Sequence, residues 1–313
     1  MKAVNILSLG TLALAVALLP ACTKKDGPLK SSYQFEATPQ TALSKKLVDQ
    51  TGLIAQVSTD TAYKLVEGVQ VTELRYVSNV GNSMKLFVFE IDLTNPAVTL
   101  EAATPYNKPA FAMQPMTKQA IYEDREGHKV WGGVNADFFN TANGTPRGIV
   151  YKEGLAIKTS FTDAGTTFFG ILKDGTAVIG NEARYNEVKN NLAEAVGGRV
   201  TLIDDGLLPI QTDATVEPRT CIGVSKDGKQ VYIMVIDGRN FYYSNGMNYA
   251  SLQQCMKAMG AYDAINIDGG GSSTFFIRNT PGFSDERFVL RNWPSDNGGQ
   301  ERAVANGLVI ISK

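Results

Sequence analysis

Three apolar stretches of this chain are interrupted by the same pattern of lysine, acid and glycine: Lys152-Glu153-Gly154, Lys173-Asp174-Gly175 and Lys226-Asp227-Gly228. An acid followed by glycine between two such runs marks a hairpin, because glycine accepts the positive φ the turn needs. The surrounding segments "GIVYKEGLAI" (148 to 157), "TFFGILKDGTAVI" (167 to 179) and "TCIGVSKDGKQVYIMVI" (220 to 236) read as strand pairs. "KLFVFEIDL" (85 to 93) and "NGLVIIS" (306 to 312) read as further strands. The chain is predicted to be α+β, with a mixed, hairpin-rich β-sheet and a few packing helices.

Helical spacing is found at 41 to 53, 115 to 126 and, most clearly, 248 to 261. There Leu252, Cys255, Met256 and Met259 recur on one face and Gly260 sits where a C-terminal cap belongs. That face reads as core. The helix lies between two apolar runs, "VYIMVI" (231 to 236), which ends in Asp237-Gly238-Arg239, and "AINI" (264 to 267), which ends in Asp268-Gly269-Gly270. A β-α-β crossover over about 231 to 268 would make the two strands parallel. Asp237 and Asp268 would then emerge at the same sheet edge, outside the carboxyl ends of the strands, where ligands of such sheets collect.

Composition narrows the chemistry. Thirty basic residues against 31 acidic ones give a net charge of -1, so nothing recommends a nucleic acid partner. The single histidine, His128 in "EDREGHK", reads as part of a solvated turn and cannot build a multi-histidine metal site. No G-x-S-x-G elbow accompanies it, so acid and base work falls to carboxylates. Cys221 and Cys255 lie in apolar contexts, which suits buried free thiols at least as well as a disulfide.

The N-terminus is a targeting segment. Lys2, the apolar run "ILSLGTLALAVALL" and "LPAC" resemble a bacterial lipoprotein signal cleaved ahead of Cys22, which would carry the lipid. The run is shorter than the roughly 20 apolar residues of a membrane span, so it implies anchoring to a cell-envelope membrane, periplasmic or surface-exposed. Residues 23 to about 40 are polar and suit a tether. The expected organisation is a signal peptide (1–22), a tether and N-terminal appendage (23–64), and one large domain (65–313).

"INIDGGGSST" (265 to 274) places a carboxylate, three glycines and three hydroxyl residues in succession. Glycine is entropically costly, so something must approach this backbone closely. Consecutive backbone N–H groups can form an anion-binding concavity, with Ser272, Ser273 and Thr274 as added donors. A dinucleotide loop would open a helix, whereas "STFFIRN" reads as a strand. Elsewhere "GGVNADFFN" (132 to 140) mixes Asn135, Asp137 and Asn140 with a Phe pair, and Arg219 and Arg302 stand near strand starts. Taken singly each arginine reads as a salt-bridge partner. Their joint occurrence points to an anionic ligand.

The ordered set of Asn135 with Phe138-Phe139, Pro218-Arg219-Thr220 with Ile222-Gly223, Asp237-Gly238, "AINIDGGGSST", and Arg302 with Val304 and "NGLVI" resembles the phosphodiester glycosidase family over roughly residues 65 to 313. Ala136-Asp137, where the family often has glycines, and Cys221, where alanine is usual, depart from it. The resemblance implies hydrolysis of a sugar-1-phosphodiester at the glycosidic bond, releasing an N-acetylglucosamine-like sugar and a phosphomonoester. A phosphate is a good leaving group, so arginines that stabilise its charge can replace much of the general acid of an ordinary glycosidase.

The expected roles follow. Asp268 is the carboxylate that attacks or activates water, with Asp237 or Asp137 as second candidate. Arg219, Arg302, Gly269, Gly270, Gly271 and Ser272 hold phosphate, and Asn135, Phe139, Tyr243 and Asn306 contact sugar. Two alternatives use the same residues. One is a glycan-binding surface lipoprotein without catalysis. The other is a phosphodiesterase that cleaves P–O, with Asp237, Asp268 and Asp137 around Ca²⁺ or Mg²⁺.

Overall fold

The structure is a computed structural model and describes residues 37–162, 165–279, 286–296 and 298–312. The expected targeting segment, Cys22 and most of the expected tether lie outside the described residues. The described chain packs as one unit. The boundary expected near residue 64 falls inside the strand Ile54–Val66, which pairs along its length with Val69–Ser78. Residues 54–64, expected to belong to an appendage, are therefore an edge of the domain itself.

A seven-stranded sheet runs in the order Ile54–Val66, Val69–Ser78, Ser83–Asp92, Gln230–Ile236, Arg219–Val224, Asp263–Asn266, Val200–Ile203. A five-stranded sheet holds Phe288–Leu290, Phe275–Arg278, Lys129–Asn135, Gly307–Ser312 and Val98–Ala103. Another holds Ala177–Asn181, Thr167–Leu172, Leu192–Gly198, Val150–Lys152 and Leu155–Lys158. All the pairings within these sheets are antiparallel, so the expected mixed sheet is corrected. The three lysine-acid-glycine sites each turn a hairpin, and Gly154, Gly175 and Gly228 all have positive φ.

The seven-stranded sheet is covered on both faces, which explains its nearly continuous apolar strands. Successive side chains of a strand point to opposite faces. In Ser83–Asp92, Phe87, Phe89 and Ile91 enter a core shared with the other sheets, while Met84, Leu86 and Val88 enter a second core with the helices. Phe89 stacks on Phe275 with ring centroids 3.9 Å apart, which couples two of the sheets. The opposite face is closed by the helices Ala42–Thr51 and Tyr249–Met259, through Leu43, Leu47, Leu252 and Met256. Asn248 caps the second helix by accepting from the Ser251 N–H, and Gly260 ends it in the left-handed region. Cys221 and Cys255 are buried in this core as free thiols.

Gln230–Ile236 and Asp263–Asn266 both run antiparallel to Arg219–Val224, which lies between them. They point the same way without being neighbours. Asp237 and Asp268 consequently leave the sheet at one edge. That edge meets the end of Lys129–Asn135 in the neighbouring sheet, because the Asp268 N–H donates to the Ala136 carbonyl at 2.7 Å.

Candidate active site

Asn135 sits at this seam and is fully buried. Its Nδ2 donates to the Asp268 carbonyl at 2.7 Å, and its Oδ1 accepts from the Thr220 hydroxyl at 2.9 Å and the Thr274 N–H at 3.0 Å. One amide thus ties three segments together and fixes the backbone of Asp268. The expected sugar contact is replaced by a positioning role, since the group has no face open to solvent. Asn135→Ala leaves buried donors and an acceptor without partners, at a cost of about 3 kcal/mol. Denaturant unfolding should register this as a lower midpoint, and an unchanged midpoint would contradict the role.

Asp268 is half-buried. Its Oδ1 accepts from the Gly269 N–H at 2.9 Å, and the Ser272 hydroxyl also donates to it. Burial pushes the carboxyl up to about 6, against the lowering effect of those two donors and of the Arg302 charge. It is therefore an ionised carboxylate at neutral pH with a proton affinity near the working range of a base or nucleophile.

The three glycines each answer to a different neighbour. A side chain on Gly269 would come within 2.6 Å of the Pro218 carbonyl, and Gly270 has φ +61° beneath the Arg239 guanidinium. Gly271 faces the Asp296 carboxylate and Arg302. Their backbone is less free than a phosphate nest requires. The Gly269 N–H serves Asp268, the Gly270 N–H donates to the Pro218 carbonyl, and the Ser272 N–H donates to the Gly269 carbonyl. Of the expected phosphate cradle of Gly269, Gly270, Gly271 and Ser272, the Gly269, Gly270 and Ser272 N–H groups are thus committed within a tight turn that lets charged side chains close over it.

Arg302 is one of those side chains. It is partly exposed, donates from Nη1 to the Ser272 hydroxyl at 3.3 Å, and pairs through Nη2 with Asp296. Arg219 is not. It is buried, and its three nitrogens donate to the Met247 carbonyl, the Tyr249 hydroxyl and the Thr215 carbonyl while its guanidinium lies 4.1 Å from the centre of the Tyr249 ring. With its donors committed inward, Arg219 braces the loop before the strand, and the phosphate role expected of it is corrected.

Asp237 is likewise engaged. Buried, it accepts from Asn292 Nδ2 at 3.0 Å and from the Trp293 N–H at 2.8 Å, with the Tyr243 hydroxyl as a third donor. Burial raises it to about 6. It anchors the 292–293 segment to the sheet edge, and Tyr243 belongs to that anchor. Phe139 is half-buried against the cluster that includes Met116 and Phe276, so it faces the interior.

Asp137 is buried, with Oδ2 accepting from the Gly148 N–H at 2.7 Å and Oδ1 without a hydrogen-bond partner. Desolvation raises it to about 8, an effect the nearby Asp268 charge increases and Gly148 and Lys158 oppose. Asn306, also buried, accepts the Asp137 N–H through Oδ1 at 2.9 Å. Both residues are interior supports of the site, where open catalytic and sugar-binding roles were expected. The three aspartates do not converge as a set of cation ligands. Among the described residues the grouping with that closeness is Glu101, Glu123 and His128, at a different place. There His128 Nε2 lies 3.0 Å from Glu101 and Lys152 pairs with Glu123, so the histidine expected on a solvated turn is partly buried beside these groups, and burial lowers its affinity for a proton.

Sequence reasoning missed Arg239 and Asp296. Arg239 is a non-glycine residue at φ +60°, donates from Nε to Glu217 at 2.6 Å, and reaches Asp296 from Nη1 at 3.4 Å. The signal was present in Asp237-Gly238-Arg239, where the arginine follows a strand-end aspartate. Nothing local marks Asp296.

Fold and edge together define a layered antiparallel β protein with a half-buried carboxylate beside guanidinium groups. More specifically, the chain belongs to the phosphodiester glycosidase family, whose sequence pattern matches residues 128–311. It is similar to the N-acetylglucosamine-1-phosphodiester alpha-N-acetylglucosaminidases of mouse (Mus musculus) and human (Homo sapiens), 27% identical in each case over 183 residues. Each alignment covers 52% of this chain and 33% of the relative, so the chain matches about a third of their length. Its fold is similar to that of the zebrafish N-acetylglucosamine-1-phosphodiester alpha-N-acetylglucosaminidase catalytic domain auto-inhibited by pro-peptide, with a TM-score of 0.58 and 20% identity across 80% of this chain and 87% of that one. A hypothetical protein from Synechocystis gives a TM-score of 0.56 and 13% identity, across 82% of this chain and 64% of that one.

Proposed function

We propose that this protein hydrolyses a sugar-1-phosphodiester at the glycosidic bond, with N-acetylglucosamine or a close analogue as the sugar. The observation that carries the proposal is the Asp268 carboxylate, raised to about 6 and held beside Arg302 by the triple-glycine turn. Above pH 6 this group is ionised and either attacks the anomeric carbon, forming a glycosyl ester that water then hydrolyses to free the sugar, or takes a proton from the attacking water. The bond between anomeric carbon and phosphate oxygen breaks, and the oxygen leaves on a phosphomonoester whose charge a guanidinium can stabilise. Family membership supports the reaction class, and the named relatives support the sugar.

The test is turnover of an N-acetylglucosamine-1-phosphodiester in ¹⁸O-water, with and without chelator. Equal release of reducing sugar and phosphomonoester, with the label on the sugar, is the expected result. Label on phosphate would instead establish P–O cleavage, and dependence on added Ca²⁺ or Mg²⁺ would favour the metal-dependent alternative. Phe241, Tyr242 and Trp293 are 71%, 85% and 50% exposed, so a glycan-binding role without turnover also has a surface to use. Saturable binding with no product would select it. Lipidation of Cys22 and an envelope location belong to the same proposal, tested by the acyl mass on that cysteine in the membrane fraction.

A further inference from the structure

Asp296 lies between two guanidinium groups. Its Oδ1 is 3.4 Å from Arg239 Nη1, and its Oδ2 pairs with Arg302. Under these groups run Gly270 and Gly271, whose missing side chains leave the room: a Cβ on Gly270 would lie 3.2 Å from Arg239 Nη2, and one on Gly271 would lie 2.7 Å from Arg302 Nη2. The side chains of Arg239, Arg302 and Asp296 are 45%, 39% and 29% exposed, so an anion in solution can reach them.

We propose that the Asp296 carboxylate occupies the anion subsite of this protein, and that the phosphodiester of the substrate displaces it to bind between Arg239 and Arg302. This rests on the glycosidase reading for the identity of the anion. A carboxylate and a phosphate present paired oxygens to a guanidinium fork in the same way, so one can stand in for the other. Partly exposed ion pairs are weak, so an intramolecular carboxylate there is displaceable. Glu217, 2.6 Å from Arg239 Nε, holds that guanidinium over the turn and leaves its Nη atoms for the ligand. The subsite adjoins Asp268 through Ser272, whose hydroxyl serves Asp268 on one side and accepts from Arg302 on the other. Phe241 and Tyr242 follow Arg239 in the chain and Trp293 precedes Asp296, and all three rings are exposed.

The experiment is calorimetric titration of inorganic phosphate into the full chain without substrate. Removing the internal competitor in Asp296→Asn should tighten phosphate binding roughly tenfold, because the empty subsite no longer has to be vacated. Asp296→Ser should do the same if the effect is loss of charge. Arg239→Gln should weaken binding by at least about tenfold, at a thermal midpoint close to that of the parent. Unchanged or weaker binding in both Asp296 variants would overturn the proposal, as would full binding in Arg239→Gln. Phosphate binding is read apart from turnover. A chain that binds phosphate in this pattern yet releases no sugar would overturn the glycosidase reading alone, and one that turns over substrate without this pattern would overturn the subsite alone.

Discussion

Asp268→Asn is expected to lower kcat/KM for a sugar-1-phosphodiester by roughly a thousandfold or more while leaving the fold intact, the order of effect seen when an attacking or proton-accepting group is removed. The amide retains an oxygen for the Gly269 N–H, which the parent side chain accepts at 2.9 Å, so the turn has no new reason to open. What it loses is negative charge beside the anomeric carbon and the ability to take a proton. In the parent, kcat/KM should rise through a limb near pH 6 as Asp268 ionises. Asp237 titrates in the same range, so the limb alone does not identify its owner. Asp237→Asn separates them: it disturbs the contacts to Asn292 and Trp293 and should lower stability, yet leave the acid limb in place. Near-parental turnover in Asp268→Asn, or loss of the limb in Asp237→Asn with Asp268 intact, would reassign the carboxylate.

The parts of the molecule that were legible in sequence are those set by local rules. Acid-glycine turns between β-type runs gave the three hairpins, and periodicity with Gly260 gave the helix Tyr249–Met259. The common edge of Asp237 and Asp268 followed from strand, helix, strand, although the insertion of the hairpin partner Arg219–Val224 between them was not visible. Side-chain direction was much less legible. Asn135, Asn306 and Arg219 stand at the expected edge, yet each turns inward, and for the two asparagines segments far apart in sequence supply the partners: Thr274 lies 139 residues from Asn135, and Asn306 lies 169 residues from Asp137. The same distance problem hid Asp296, which is 57 residues from Arg239. A triple glycine states that something comes close to the backbone. It does not state whether that is a ligand or, as with Pro218 and Asp296, the protein itself.

Asp137→Asn should make the protein more stable than its parent at alkaline pH, by an amount that grows from pH 5 to pH 9. Burial holds the Asp137 carboxyl at about 8 in the folded chain, against 3.8 for the exposed group. Between those values the folded state binds the proton more tightly than the unfolded state, so stability falls as pH rises. The contribution is fully present below about pH 4 and lost once pH passes 8. A difference of this size corresponds to something on the order of 5 kcal/mol. Glu194, also buried and raised to about 8, adds a loss of the same sign, so the parent curve by itself cannot be assigned. The difference between parent and Asp137→Asn isolates one group, because an asparagine oxygen can still accept the Gly148 N–H and nothing remains there to ionise. Turnover adds an independent check. Asp137 is neutral where Asp268 ionises, so the acid limb near pH 6 should stay in place in the variant. A stability difference that is flat from pH 5 to 9 would mean that Asp137 is already ionised in the fold, and its charge would then have to enter any account of how Asp268 is held near 6.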